Sequence, residues 1–313
     1  MKLIAAFFRL VRWPNLAFIA LTQCLFYFAV YFSLKHTGDL PHTSFEFYML
    51  VAASVLIAAG GYVINDYFDL HIDAVNKPQK VVVDRILKRR WAIAWHAIFS
   101  LLGIVASAFV AYRTGSRTIF FLNIACVFLL WVYSTTFKKK LLIGNIIIAA
   151  LTAWVIIVVY IFAGAHLGVW NPGNDTLDQP RFFKFTILYA GFAFIMSIIR
   201  EVTKDLEDLE GDARYGCRTM PIVWGVPATK VFAAVWIVAC IATLAILQLY
   251  AWQSGHMLVS LYTLITIIVP LVIVLRKLYV ASVPADYHVI SSYLKVIMFA
   301  GIISMIFFRF LEI

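Results

Sequence analysis

The sequence predicts an all-α polytopic membrane protein with nine transmembrane helices. Hydrophobic residues make up 63% of the chain and charged residues only 13%, whereas soluble domains average about 45–50% and about 25%. The mean hydropathy is +0.91. The apolar residues are gathered in runs of about 20, the length a helix needs to cross a bilayer. These runs are too long and too uniformly apolar for the strands of a barrel.

Nine runs are long enough to span the membrane. We expect the spans at roughly 15–34, 45–66, 91–112, 117–134, 142–165, 182–204, 227–250, 256–275 and 290–311. Ahead of them, residues 2–12 are typical of a short amphipathic helix on the membrane surface. Arg9 and Arg12 interrupt this segment, and no small-residue cleavage site follows, so it is a poor signal peptide. The whole chain, 1–313, is predicted to be one membrane domain.

The charges of the loops predict the orientation of the chain. Nine spans place the two termini on opposite sides, and with a cytoplasmic N-terminus 20 of the 26 lysines and arginines are also cytoplasmic. This agrees with the positive-inside rule and predicts an integral protein of the inner (plasma) membrane. The net charge of +10 therefore indicates orientation, not binding to nucleic acid. The four cysteines form no CxxC or Cys/His cluster, so the sequence predicts neither a thiolate metal site nor a disulfide framework.

Two acidic segments break this apolar pattern. Ten of the 16 acidic residues follow spans 2 and 6. Each segment contains three aspartates spaced by three and then by four residues, a spacing that places them on one face of a helix. They are Asp66, Asp69 and Asp73 in the first acidic motif, and Asp205, Asp208 and Asp212 in the second. The repetition predicts an internal duplication in which spans 2 and 6 are equivalent helices.

Carboxylates stacked on one helical face require a counter-charge. Like charges at these spacings destabilise a helix, and acids next to hydrocarbon are costly. Mg²⁺ is typically bound through carboxylates and substrate phosphates, and lysines and arginines lie beside both motifs. The pattern favours a Mg²⁺–diphosphate site over a solvated charged loop or an ion pathway, because the acids cluster at one membrane face and spans 7 to 9 are nearly free of charge.

These residues resemble the UbiA superfamily of intramembrane prenyltransferases. Its first motif, Asn-Asp-x-x-Asp-x-x-x-Asp, is matched from Asn65 to Asp73, and its second, Asp-x-x-x-Asp, by Asp208 and Asp212. Shorter similar pieces are RWPN, which ends at Asn15, YSTTFKKKLLIGN, which begins at Tyr133, and the Gly-x-Arg-Thr that ends at Thr219. The resemblance implies nine helices around a central cavity that has a cytoplasmic cap.

The resemblance also implies roles for individual residues. Two Mg²⁺ ions on a prenyl diphosphate would be held by Asn65, Asp69, Asp73, Asp208 and Asp212. Asp66 and Asp205 would bind through water or support the ligands. The substrates would be contacted by Asn15, Lys77, Lys80, Tyr133, Lys138, Lys139 and Arg218, with the cations steadying the departing pyrophosphate. Metal and cations together promote ionisation of an allylic diphosphate, and Tyr62, Tyr67, Phe68 or Tyr133 would stabilise the resulting cation.

The acceptor is indicated by the second segment. REVTKDLEDLEGD resembles the ether-lipid branch of the family, in which the acceptor is the hydroxyl of geranylgeranylglycerol phosphate and the donor is geranylgeranyl diphosphate. A phosphate on the acceptor would also explain surplus cations at 85–90. The chain lacks the Pro-Ser-Gly that many members carry after the first motif, so an aromatic acceptor of quinone biosynthesis stays open. More distant alternatives are a transporter and a silent prenyl-lipid binding protein. No obligate protein partner is predicted.

Overall fold

The computed structural model describes residues 2–35, 44–79, 81–166 and 177–310. These residues form fourteen α-helices: α1 (Lys2–Leu10), α2 (Trp13–Leu25), α3 (Phe45–Phe68), α4 (Leu70–Asn76), α5 (Arg89–Thr114), α6 (Arg117–Thr135), α7 (Ile143–His166), α8 (Gln179–Glu207), α9 (Leu209–Arg214), α10 (Met220–Val223), α11 (Gly225–Gln253), α12 (Met257–Thr263), α13 (Val269–Val280) and α14 (Pro284–Ile303). Within the described ranges there is no β-strand, and only two isolated bridges occur.

Nine segments of the described chain are long and apolar enough to cross a membrane, as predicted. Two of them contain a π-helical turn. The first span continues from α2 through Phe26–Tyr31, and the eighth runs from α12 to α13 through Leu264–Ile268. Pro270 lies in the first turn of α13. Because proline has no N–H and clashes with the preceding turn, the regular bonding pattern of the eighth span is interrupted there.

The observed spans begin and end within a few residues of the predicted ones. The ninth differs most, because it begins at Pro284 instead of near 290. Its first turn is polar and therefore falls outside the apolar run. The carboxylate of Asp286 accepts hydrogen bonds from the backbone N–H groups of Ser282 (2.9 Å) and Val283 (3.2 Å). These bonds satisfy backbone donors at the start of the helix and extend it beyond the hydrophobic segment.

The described residues divide into two compact units. The N-terminal unit combines those of Met1–Lys138 and Trp154–Ile187, and the C-terminal unit combines those of Lys139–Ala153 and Leu188–Ile313. In the C-terminal unit, buried apolar side chains from α8, α11, α13 and α14 form the core. They include Met196, Ile199, Val202, Leu206, Ala233, Ile237, Leu271, Val274, Leu278, Ile290, Leu294 and Ile297. That the chain is one functional domain stays a prediction.

In the N-terminal unit, α3 and α5 approach closely at small residues. A Cβ atom added at Gly103 of α5 would lie 2.7 Å from Cγ1 of Ile57 and 3.3 Å from the carbonyl oxygen of Ala53, both on α3. A Cβ at Gly60 of α3 would lie 3.0 Å from the Ser100 hydroxyl. Small residues allow helices to pack closely in lipid, where packing replaces the hydrophobic effect as the driving force.

Buried polar contacts add to this packing. The amide Nε2 of Gln23 donates to the Ser54 hydroxyl (2.9 Å) and to the carbonyl of Val155 (3.1 Å). Trp154 donates from Nε1 to Asn123 Oδ1 at 3.0 Å. These bonds connect three helices of the N-terminal unit, α2, α3 and α7, and join α7 to α6. Such side-chain bonds within the membrane contribute about 1 kcal/mol each.

We expect Gly103→Ala to lower the thermal unfolding temperature of the detergent-solubilised protein. The added methyl group must displace Ile57 against a close-packed backbone, and overpacking of this kind typically costs about 1–3 kcal/mol. Gly191→Ala is the matched control, because a Cβ at Gly191 of α8 meets no atom within 4 Å. It should leave the unfolding temperature unchanged or raise it slightly. Equal effects of the two variants would contradict the close approach of α3 and α5.

Candidate metal and diphosphate site

The first acidic motif lies at the junction of α3 and α4. α3 ends at Phe68, Asp69 occupies the junction, and α4 follows directly. The backbone N–H groups of Asp69 and Asp73 donate to the carbonyls of Asn65 (2.9 Å) and Asp69 (2.8 Å). Because this bonding from residue i to residue i−4 continues through the junction, Asn65, Asp69 and Asp73 share one helical face, as the spacing predicts.

The second acidic motif has the same local architecture. α8 ends at Glu207, Asp208 occupies the junction, and α9 begins at Leu209. The N–H groups of Asp208 and Asp212 donate to the carbonyls of Lys204 (2.8 Å) and Asp208 (3.1 Å). The backbone angles at Asp208 (φ −96°, ψ 8°) are close to those at Asp69 (φ −85°, ψ −2°). The repetition seen in the sequence therefore extends to the local backbone, whereas the internal duplication stays a prediction.

Cations balance the buried carboxylates of the first motif. Asp69 is 3% exposed. Its Oδ2 atom accepts a hydrogen bond from Asn65 Nδ2 at 2.5 Å and a charged bond from Lys138 Nζ. Arg12 Nη2 binds Asp66 Oδ1 at 2.6 Å. A buried carboxylate is tolerated only when it is paired and hydrogen-bonded. These contacts therefore stabilise the ionised carboxylates of the first motif in the folded protein.

The field of this cluster shifts the pKa values of groups outside the spans. Burial and, after it, the nearby carboxylate of Asp69 raise the pKa of Asp73 to about 6, against the attraction of Lys138. Burial alone would lower the pKa of Lys138, but the carboxylates of Asp69 and Asp73 raise it above its usual value. The pKa of Arg12 is likewise raised by Asp66 against the effect of burial. Lys138 and Arg12 therefore stay charged, whereas the raised pKa of Asp73 lies closer to neutral pH than that of an ordinary carboxyl group.

Arg12 is a site residue that the sequence analysis did not single out. It precedes α2 with a left-handed backbone (φ 52°) and lies 5.1 Å from the ring centre of Tyr62. A non-glycine residue in this conformation is strained and occurs often at functional sites. α1 positions it, because Ala6 and Leu10 are buried in one cluster with Val63 of α3. The RWPN segment contained the signal, but we assigned the substrate contact to Asn15, which is half-buried and donates its N–H to the carbonyl of Arg12 (2.8 Å).

The other predicted cations and Tyr133 lie near the motifs of their own units. Lys77 follows α4 and donates its N–H to the Asp73 carbonyl at 2.8 Å. Tyr133 lies on α6, and its charge interaction with Lys138 places the two side chains near each other. In the C-terminal unit, exposed Arg218 donates its N–H to the carbonyl of exposed Lys139 at 2.8 Å. Lys80 lies outside the described residues.

The second motif has its own supporting groups. Asn145 Nδ2 donates to Asp205 Oδ2 at 2.8 Å, much as Asn65 donates to Asp69. Asp212 is 6% exposed, and its carbonyl accepts from the N–H of Cys217 at 2.9 Å. This bond fixes the turn that leads to Thr219, whose buried hydroxyl has no hydrogen-bond partner among the described residues. Asn145 was present in the family-like segment before span 5, but its side-chain partner requires the packing of α7 on α8.

The donor set fits a hard cation that shares its ligands with substrate. Both motifs offer carboxylate oxygens, and the first adds the amide of Asn65. Within the described ranges, no three His, Cys, Asp or Glu side chains surround one point closely enough to form a metal cage. Mg²⁺ is usually bound in this way, through one or two carboxylates, water and substrate phosphates, and not by a dedicated protein cage. The residues therefore fit Mg²⁺ on a diphosphate.

Comparisons with known proteins identify the class and then the family. In the described residues, nine apolar helical segments and the aspartate motifs that end α3 and α8 define a helical integral membrane protein. The chain matches the UbiA prenyltransferase family over residues 24–286. It belongs to that family, and the predicted membrane fold and prenyltransferase class are thereby confirmed.

Individual relatives agree with this assignment. The chain is 33% identical to the digeranylgeranylglyceryl phosphate synthase of Methanoregula boonei over 68% of each chain. A solved structure described as a digeranylgeranylglyceryl phosphate synthase in membranes aligns with a TM-score of 0.59 at 23% identity, over 98% of this chain and 99% of the other. A UbiA homologue from Archaeoglobus fulgidus, bound to DMAPP and Mg²⁺, aligns with a TM-score of 0.55 at 18% identity, over 95% and 98%.

We expect Asp73→Asn to stabilise the protein in the absence of metal. Since the folded-state pKa of Asp73 is raised to about 6 from the usual 3.8, ionisation of this group destabilises the native state. That cost is absent below the usual pKa and complete above about 6. In EDTA, the variant should unfold at a higher temperature than the wild type at pH 7.5, and this difference should shrink at pH 5.

The control for this prediction is Asp84→Asn, which removes the same charge from an exposed residue. Asparagine also tolerates the positive φ of 67° at position 84. Asp84→Asn should not change the unfolding temperature at either pH. A stabilisation by Asp73→Asn that is equal at pH 5 and pH 7.5 would contradict the raised pKa.

Proposed function

We propose that the protein transfers a geranylgeranyl group from geranylgeranyl diphosphate to the hydroxyl of geranylgeranylglycerol phosphate, with the help of Mg²⁺. The observation that carries this proposal is the pair of acidic motifs, each at a helix junction of the same geometry and each with a buried carboxylate. A carboxylate face balanced by lysine and arginine is suited to hold a metal-bound diphosphate. In an apolar membrane protein, such a charged face has no use unless an anionic substrate binds there together with its metal ion.

The residue roles follow from the sequence and from the contacts within each unit. In the N-terminal unit, Asn65, Asp69 and Asp73 would hold Mg²⁺, and Asp66 would support them while bound to Arg12. In the C-terminal unit, the ligands would be Asp208 and Asp212, supported by Asp205. Bound Mg²⁺ neutralises the diphosphate and makes pyrophosphate a better leaving group. Lys138, which pairs with Asp69, would stabilise the negative charge that develops on the leaving group.

The remaining cations and aromatic rings would complete the reaction. Lys77, Lys80, Lys139 and Arg218 would stabilise the negative charge that develops on pyrophosphate. When the C–O bond breaks, the electron pair leaves with pyrophosphate and an allylic cation remains. The faces of Tyr62 and Tyr133 attract a cation, and the surrounding apolar helices exclude water that would capture it. The acceptor hydroxyl then attacks, and its proton passes to pyrophosphate or to a carboxylate.

The choice of acceptor is supported by two independent lines. The relative from Methanoregula boonei, 33% identical, is a digeranylgeranylglyceryl phosphate synthase. The second motif also carries the additional charged residues Arg200, Glu201 and Lys204 on the preceding turns. An aromatic acceptor is the second candidate, because the segment after the first motif departs from the pattern of many family members. We further propose that both motifs face the cytoplasm of a cell membrane, because this orientation would place 20 of the 26 lysines and arginines on the cytoplasmic side, in agreement with the positive-inside rule.

The first experiment is pyrophosphate release by purified protein in detergent with geranylgeranyl diphosphate and Mg²⁺. Release that requires geranylgeranylglycerol phosphate is the expected result. Release that requires a hydroxybenzoic acid instead would retain prenyl transfer and replace the acceptor. If neither acceptor leads to pyrophosphate release and the protein instead conducts ions into liposomes, the proposed enzymatic activity is contradicted and a transporter is favoured.

We expect Asp69→Asn to lower kcat by about 100-fold or more, because it removes a charge that stabilises the metal-bound transition state. Asp84→Asn, which removes a charge from an exposed position, should retain wild-type kcat. Elution volume and unfolding temperature show whether each variant is folded. Full activity of folded Asp69→Asn would contradict the role of the first motif.

A further inference from the structure

The last turns of α8, ahead of the second motif, have two different faces. Ile199, Val202 and Leu206 are fully or almost fully buried in the core of the C-terminal unit. Arg200, Lys204 and Asp208 follow one another at steps of four residues, which places them along another side of the same helix. A cationic stripe therefore leads along α8 to a predicted metal ligand.

The arginine of this stripe is held in place by its neighbour. Glu201 Oε1 accepts from Arg200 Nη1 at 2.9 Å and from Lys204 Nζ at 2.7 Å. The side chains of Arg200 and Glu201 are only 16% and 12% exposed. The Glu201 carboxylate thus binds both Arg200 and Lys204, and it fixes the orientation of the Arg200 guanidinium.

The Arg200 guanidinium has one unsatisfied donor among the described residues. Its Nε–H is buried and has no hydrogen-bond acceptor in the part of the chain that the structure describes. Glu201 binds Nη1, which lies in the plane of the guanidinium group but is not part of the Nε–Nη2 edge. Two parallel N–H groups on such an edge match two oxygens of a phosphate, and buried donors of this kind are normally satisfied.

The position of Arg200 favours the acceptor as the source of this phosphate. It lies eight residues before Asp208, or about 12 Å along the helix axis at 1.5 Å per residue. A donor bound by its diphosphate at Asp208 has only a hydrocarbon chain beyond that group. The acceptor carries a phosphate beside the attacking hydroxyl and is therefore the substrate with a second anionic group. The cations at 85–90 suit this role less well, because Arg85 donates to the carbonyl of Pro78 and Arg89 lies over the ring of Tyr67.

We propose that Arg200 binds the phosphate monoester of the acceptor lipid and so selects a glycerol-phosphate acceptor. This inference rests on the proposed function, because it names the group that recognises the second substrate. Lys204 adds positive charge on the same side of α8, and Glu201 positions the guanidinium. Arg200 is a specificity-determining residue and takes no part in breaking the C–O bond.

The test compares Arg200→Gln with Arg200→Lys and with the control Arg214→Gln. Arg214 is exposed and pairs with Glu210 on the surface. We expect Arg200→Gln to raise KM for geranylgeranylglycerol phosphate by about 10- to 100-fold, the usual effect of losing a hydrogen bond to a charged group. KM for geranylgeranyl diphosphate should not change. Arg200→Lys should recover part of the loss, and Arg214→Gln should resemble the wild type.

A second acceptor separates phosphate binding from a structural role. With geranylgeranylglycerol, which lacks the phosphate, the wild type and Arg200→Gln should have the same KM. A raised KM for the donor would instead place Arg200 on the diphosphate, and equal losses with both acceptors would show a structural role. Either result overturns the inference.

A binding measurement keeps this test independent of turnover. Geranylgeranylglycerol phosphate should raise the unfolding temperature of the wild type and of Arg214→Gln but not that of Arg200→Gln, whereas donor with Mg²⁺ should stabilise all three. An acceptor-induced shift that survives in Arg200→Gln would overturn the inference. If the ligands raise the unfolding temperatures as expected but no pyrophosphate is released, the proposed function is contradicted. The contact between Arg200 and the acceptor phosphate would then still be supported.

Discussion

The neutralisation of buried carboxylates by cations from distant parts of the chain is the constraint on which the site depends. Asp69 is nearly inaccessible to water, and Lys138 reaches it from the 3₁₀ turn Phe137–Lys139 after α6. Arg12 reaches Asp66 from the turn before α2. An ion next to hydrocarbon is costly unless a partner is held against it. The acidic face is therefore stabilised by two separate segments of the N-terminal unit that converge on the end of α3.

This arrangement connects stability with function. The carboxylates that suit a metal ion repel one another without it, and the raised pKa of Asp73 expresses that repulsion together with burial. Lys138 and Arg12 reduce the repulsion in the metal-free protein, and the same charges suit the departing pyrophosphate. Stability given up at such a position is typical of active sites. The apolar helices around it compensate through close packing at Gly60 and Gly103 and through hydrogen bonds such as that of Gln23 to Ser54.

The two acidic motifs share the same local architecture. In each, a long membrane helix passes through an aspartate at a junction into a short helix of six or seven residues. In each, an asparagine amide supports a carboxylate: Asn65 on Asp69 and Asn145 on Asp205. The supporting asparagines have different origins, since one belongs to the motif itself and the other comes from α7. The second motif also has Arg200, Glu201 and Lys204 on the preceding turns, an ionic cluster with no equivalent in the apolar turns before Asn65. The two junctions therefore differ in their surroundings, and they differ where we propose that the acceptor binds.

The sequence by itself determined the membrane fold, the nine spans and the helical face shared by each set of aspartates. These features depend on local hydrophobicity and on the fixed geometry of the α-helix, which neighbouring residues alone specify. The sequence did not determine that Lys138 pairs with Asp69, that Arg12 pairs with Asp66, or that Asn145 supports Asp205. It also did not predict that the ninth span begins with a polar turn at Pro284. Only the tertiary structure decided these contacts, because they depend on how each helix is rotated and packed against helices that are remote in the chain.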